Sequence, residues 1–259
     1  MEKTWRWFGK KDKITLTMLR QIGVEGIVTA LHDVPNGEIW ALEAIKSLKD
    51  YIESHQLRWS VVESLPVSEA IKYAGPERDQ LIENYKVSLA NLGKAGIKTV
   101  CYNFMPVFDW LRTEMKHVNA DGSNSLAYSY EDFKKIDPNN LHLPGWDESY
   151  SSEELQGLLK SYKNISHEDL FNNLVYFLER VIKVCDEVNV KMAIHPDDPP
   201  WDVFNLPRIV SNENDLDRMF EAVPSLNNGL TLCTGSFGAG RKNNLIHMAS
   251  KYAAQGRVH

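Results

Sequence analysis

Short segments rich in β-branched and aromatic residues alternate along this chain with longer segments of helical period, and this alternation constrains the fold more than any other feature. Strand, helix and strand in succession give a parallel sheet with helices packed outside it. Six strands are predicted, at residues 4–8, 26–31, 59–64, 99–104, 191–195 and 230–234, and residues 257–259 read as the opening of a seventh. Helical period is plainest over 38–55, where Leu42, Ile45, Leu48 and Ile52 recur at steps of three and four, and over 167–188, where Ser166 and Asp169 form a capping box. Gly23 and Gly96 stand where helix C-caps are expected, just before strands.

Strand starts fall about 22 to 40 residues apart, as β/α units require, except between Thr99 and Lys191, where the gap is too long for one crossover. An insertion at 114–164 after the fourth strand is therefore expected. It is rich in Asp, Asn, Ser and Tyr, with Pro138, Pro144 and Gly145. Its place at a strand's C-terminal end reads as a lid or an interface segment. The predicted architecture is an α/β barrel of the (β/α)8 type forming a single domain over 1–259. Eight strands close such a barrel, so the sequence is expected to stop near its seventh strand, incomplete at the C-terminal side.

Of the 259 residues 43% are hydrophobic and 25% charged, which is ordinary globular composition. A net charge of −6, with no Lys/Arg-rich run, argues against a nucleic-acid partner. No apolar run is long enough for a membrane span, and no signal peptide opens the chain. The three cysteines, Cys101, Cys185 and Cys233, are an odd number for a disulfide framework, so a cytoplasmic protein is expected.

In a parallel β/α protein, polar residues that follow the strands converge on one crevice. Here those residues are Arg6, His32 with Asp33, Glu63, Asn103, His195 with Asp197 and Asp198, and Cys233 with Ser236. His195 ends an apolar run and enters a stiff Pro196-Asp-Asp-Pro-Pro200 turn, a pattern that favours a metal ligand over a structural histidine. Cys233 stands in the same relation to its strand. Thiolate joins imidazole at zinc, iron and manganese-type sites, but a lone cysteine in an apolar strand is as readily core. Cys185, on the apolar stripe of 167–188, reads as core. The stretch 235–240 is neither a P-loop nor a dinucleotide fingerprint, so plain turn chemistry is its leading reading. Arg6, between Trp5 and Trp7, reads either as an anion clamp or as a surface arginine. His55, His117, His142, His167 and His247 lie on helices or in the insertion and carry no assigned chemistry.

Seven blocks in order, Thr4 to Gly9, Val28 to His32 with Pro35 to Glu38, Trp59 to Ser64, Val100 to Pro106, His195 to Pro200, Leu206 to Ser211 and Cys233 to Ser236, closely resemble the mannonate dehydratase family of hexuronate degradation. The resemblance covers the whole chain. It implies a xylose-isomerase-like TIM barrel that uses Mn2+ or Fe2+ to convert D-mannonate to 2-keto-3-deoxy-D-gluconate and water. His195 and Cys233 match two of the family's metal ligands. The remaining two, a His and an Asp, are expected beyond His259, which itself matches a position without metal contact. Arg6, His32, Asn103 and Ser236 are expected to grip the substrate, with His32 in proton transfer and Asp197 either in proton transfer or supporting the metal ligands, the principal acid or base being open to lie beyond His259; a homodimer is expected. The alternatives are an isomerase or endonuclease of the same superfamily, which needs a richer carboxylate set, and a non-catalytic sugar-acid or metal-binding module.

Overall fold

The computed structural model describes residues 1–136 and 151–259. Strands β1 (Thr4–Arg6), β2 (Gly26–Thr29), β3 (Arg58–Glu63), β4 (Thr99–Tyr102), β7 (Lys191–Ile194) and β8 (Asn228–Leu230) form one sheet in the order β1-β2-β3-β4-β7-β8. Every pairing in it is parallel. Each strand thus lies beside the next one in sequence, without the reversal of order that marks a doubly wound sheet. This singly wound course is the barrel topology, and it keeps all strand C-termini on one face. The expected seventh segment enters as a parallel bridge between Leu230 and Val258.

The interstrand gap between β4 and β7 holds a small antiparallel sheet of β5 (Glu114–Val118) and β6 (Asn124–Ala127), a turn of helix at Tyr130–Phe133 and a helix at Ser152–Ser161. The insertion therefore has secondary structure of its own. Its residues 137–150, with Pro138, His142, Pro144 and Gly145, lie outside the described residues.

The helix His167–Val188 has the predicted bounds, and its capping box forms: the Asp169 amide donates to the Ser166 hydroxyl at 3.1 Å, and the Ser166 amide donates to the Asp169 carboxylate at 3.0 Å. Its buried stripe, Leu170 through Cys185, packs on the helix Arg78–Lys94 and the sheet, with the Phe177 ring 5.0 Å from Tyr85 and 5.9 Å from Phe104. Cys185 is core, as its periodicity required. Gly23 and Gly96 follow the helices Leu16–Gln21 and Arg78–Lys94 at φ +83° and +81°, a conformation that costs glycine little.

Two expectations need correction. The helix predicted from residue 38 starts at Leu42. The Trp40 amide donates to the Ser88 hydroxyl at 3.0 Å and its ring is buried, so tertiary contacts hold the preceding residues out of the helix. The strand predicted over 230–234 ends at Leu230. Beyond it the Cys233 amide turns back to the Thr231 carbonyl at 2.8 Å, and Cys233 becomes the N-cap of a helical turn, Thr234–Ala239, where a plain turn was expected. Among the described residues no helix is long and apolar enough to cross a membrane.

Candidate active site

The strand ends open on a cleft of about 390 Å³. Arg6 ends β1, Glu63 ends β3, Asn103 follows β4 and His195 follows β7, and all four line it. Arg6 alternates with Trp5 and Trp7 and so points away from the face they share, into the cleft that it lines. There its Nη1 pairs with Glu63 at 2.8 Å. Its Nε is buried and, among the described residues, has no hydrogen-bond partner. An arginine held by one carboxylate on a single Nη, with its side chain about a third exposed (35%), keeps further guanidinium donors at the cleft wall for a second oxyanion.

His195 is fixed by its own turn. Its Nδ1 lies 2.8 Å from the Pro196 carbonyl, and a nitrogen facing a carbonyl oxygen must carry the proton. Nε2 is left with a lone pair, the arrangement metal-binding histidines adopt. The imidazole stands within hydrogen-bonding reach of the Cys233 thiol, across from the adjacent strand. Burial pushes that thiol up, but His195 and the hydroxyl and amide of Ser236 outweigh it and bring Cys233 down to about 6. Burial also pushes the imidazole down, and the Cys233 sulfur outweighs this to hold it above its ordinary value. Ser236 sits with its hydroxyl 3.3 Å from Cys233 Sγ, beside the sulfur, and it is not a cleft-lining residue.

The other expected residues separate. His32 lies behind Arg6, its Nε2 3.4 Å from the Thr29 hydroxyl, and burial together with the Arg6 charge pushes its pKa down. Asp197 turns away from the cleft. It is 2% exposed, and its carboxylate accepts from the Val210 amide at 2.6 Å and the Ser211 hydroxyl at 2.8 Å. The carboxylate facing the cleft from this turn is its neighbour Asp198.

Three cleft residues carry no sequence signal: Asp109, Trp110 and Arg112, from the loop between β4 and the insertion. They follow no strand directly and obey no periodicity. Burial pushes the Asp109 carboxyl up, against the pull of the buried Lys72 ammonium and a hydrogen bond from Asn103. Asn103 thus faces a carboxyl at the cleft wall. Cys101 also lines the cleft, but burial pushes its thiol up to about 12, which leaves it inert.

The family profile for D-mannonate dehydratase (UxuA) matches residues 1–259. The chain belongs to the D-mannonate dehydratase family. It is 49% identical to mannonate dehydratase 2 of Halalkalibacterium halodurans over 262 aligned positions, covering all of this chain and 76% of that protein. To the mannonate dehydratase of Thermotoga neapolitana it is 48% identical, over all of this chain and 75% of the relative. The crystal structure of mannonate dehydratase from Streptococcus suis serotype 2 superposes with a TM-score of 0.92 at 44% identity, over all of this chain and 71% of that one. A D-psicose 3-epimerase from Clostridium cellulolyticum H10 shares only the fold, with a TM-score of 0.60 at 12% identity. A mannonate dehydratase and an epimerase thus share this parallel α/β barrel fold.

Proposed function

We infer that this chain is a hydro-lyase that removes water from D-mannonate to give 2-keto-3-deoxy-D-gluconate, with a divalent cation, Mn2+ or Fe2+, held in part by His195 and Cys233. The observation that carries the reading is the meeting of the His195 imidazole and the Cys233 thiol at adjacent strand ends beside an arginine-lined cleft. The donors fit the ion: the Pro196 carbonyl fixes one His195 proton on Nδ1 and so turns Nε2 toward the sulfur, a thiol lowered to about 6 is a thiolate at neutral pH, and binding a cation there would release the proton that nitrogen and sulfur share. They make two of the ligands such a site takes, and among the described residues no cluster of three or more His, Cys, Asp and Glu assembles. When bound, the cation supplies Lewis-acid stabilisation of the negative charge that grows when the C2 proton beside the carboxylate is lost.

The residues of the chain supply the rest. Arg6, whose partly exposed guanidinium lines the cleft, is the proposed holder of the substrate carboxylate, and Asn103 of a hydroxyl. Loss of the C3 hydroxyl as water needs a proton, and Asp109, with a carboxyl raised by burial at the cleft wall, is the group placed to hold one. The C2 proton passes to a base and the C3 hydroxyl leaves with a proton as water; the enol then gives up its O2 proton and takes one at C3, so the net change is the loss of one water. Asp197 and Ser236 act at one remove, Asp197 by pinning the turn after His195 and Ser236 by holding the Cys233 sulfur. His32, lowered and adjacent to Arg6, is the neutral neighbour that leaves the arginine's charge available.

A homodimer built partly on the insertion is inferred from the exposed Met115, Val118 and Leu126 of the β5–β6 hairpin, and light scattering on the purified chain tests it. A reducing compartment is inferred from the three free thiols. The decisive assay incubates the full-length protein with D-mannonate and Mn2+ or Fe2+ and follows the 2-keto-3-deoxy acid. Product that disappears with chelator is expected. Absence of product with either ion would overturn the proposal.

A further inference from the structure

Arg112 and Asp198 come from segments 86 residues apart and meet at the cleft wall. Nη1 donates to Oδ1 at 2.8 Å and Nη2 to Oδ2 at 2.9 Å, a two-pronged pairing in which both groups are mostly screened from solvent. Nη1 also donates to the Leu111 carbonyl at 2.6 Å, which fixes the guanidinium to its own loop. Asp198 is held from behind, its amide donating to the Met105 sulfur at 3.2 Å. A planar fork closed on a carboxylate with both sides anchored is far stiffer than an exposed pair of flexible chains.

What the pair joins gives it meaning. Arg112 stands at the root of the β5–β6 hairpin. That root is closed by the Thr113 amide on the Ala127 carbonyl at 2.9 Å and by the Ser129 amide on the Thr113 hydroxyl at 2.8 Å. One residue of the hairpin, Leu126, is part of the cleft lining. Asp198 stands three residues after His195 in the proline-stiffened turn.

We propose that Arg112 and Asp198 are a positioning pair that couples the hairpin bordering the cleft to the turn carrying His195, so that the two hold or release together. The coupling stands on the ion pair itself, while its effect on turnover rests on the dehydratase reading above. Neither residue is assigned a chemical step.

Hydrogen–deuterium exchange on the full chain without substrate tests the coupling across the pair. Asp198→Asn is expected to speed exchange about tenfold in the hairpin, residues 113–129, and Arg112→Gln to do the same in residues 195–201. The reversed pair, Arg112→Asp with Asp198→Arg, should restore protection in both, and Arg112→Lys, which keeps charge without the fork, should restore it in part. Changes confined to the segment that carries each substitution, or no change, would overturn the proposal. In D-mannonate turnover the same variants should raise KM about tenfold more than they lower kcat, with Arg112→Lys intermediate, because the cleft border is loosened and the proton-holding group is kept. Should the unaltered chain fail to turn over D-mannonate, the dehydratase reading falls, and the exchange result still decides the coupling.

Discussion

Cys233 and Cys101 are both cysteines near one cleft, and their surroundings drive them in opposite directions. Cys101 is pushed up to about 12 by burial and by the nearby Glu63 carboxylate, whereas Cys233, against His195 and Ser236, falls to about 6. The thiolate is the reactive form, so iodoacetamide should label Cys233 in chelator-treated protein at a rate that rises through pH 6 and levels above it. Cys101 and Cys185 should stay unlabelled in the folded protein. His195→Ala should move the Cys233 inflection upward, and added Mn2+ should slow labelling. An inflection left at its place in His195→Ala would show that the imidazole does not set it. Asp109 offers a second test at this scale. Replacement by Asn keeps the size and removes the ionisable carboxyl, and a fall in kcat of about 10²-fold or more is expected, with the fold retained by circular dichroism.

Elements owe their placement to a few polar contacts at their ends. The turn after His195 is pinned by Asp197, whose carboxylate takes the Val210 amide and the Ser211 hydroxyl. Asp197→Ala leaves those buried donors unpaired and should cost about 1–3 kcal/mol, read as a shift of the urea midpoint with the slope unchanged. At the helix His167–Val188 the Ser166 cap is worth about 1 kcal/mol, so Ser166→Ala should lower stability by that amount and leave kcat untouched. This helix was legible because its stripe is long and its cap is a sequence pattern. The β5–β6 hairpin was not. Every residue of β5 is exposed, so no face is apolar and no alternation is written into it. The shift of the helix start to Leu42 had no local signal either, since it depends on Ser88, 48 residues away from Trp40.

For the molecule as a whole, the alternation of strands and helices sets the singly wound parallel sheet, and such a sheet brings every strand end to one face. Sequence alone therefore determined the class of fold, the strand sites to within a few residues, the buried stripes, and the gathering of Arg6, Glu63, Asn103, His195 and Cys233 at one end. These follow from periods of two and of about 3.6 residues, which are local properties of a chain. Tertiary structure decided which of those groups face each other. Arg6 meets Glu63, Arg112 meets Asp198, and of two adjacent aspartates one enters the cleft while the other goes to Val210. Direction in a turn depends on backbone angles and on charges brought in from distant segments, and neither has a period to read.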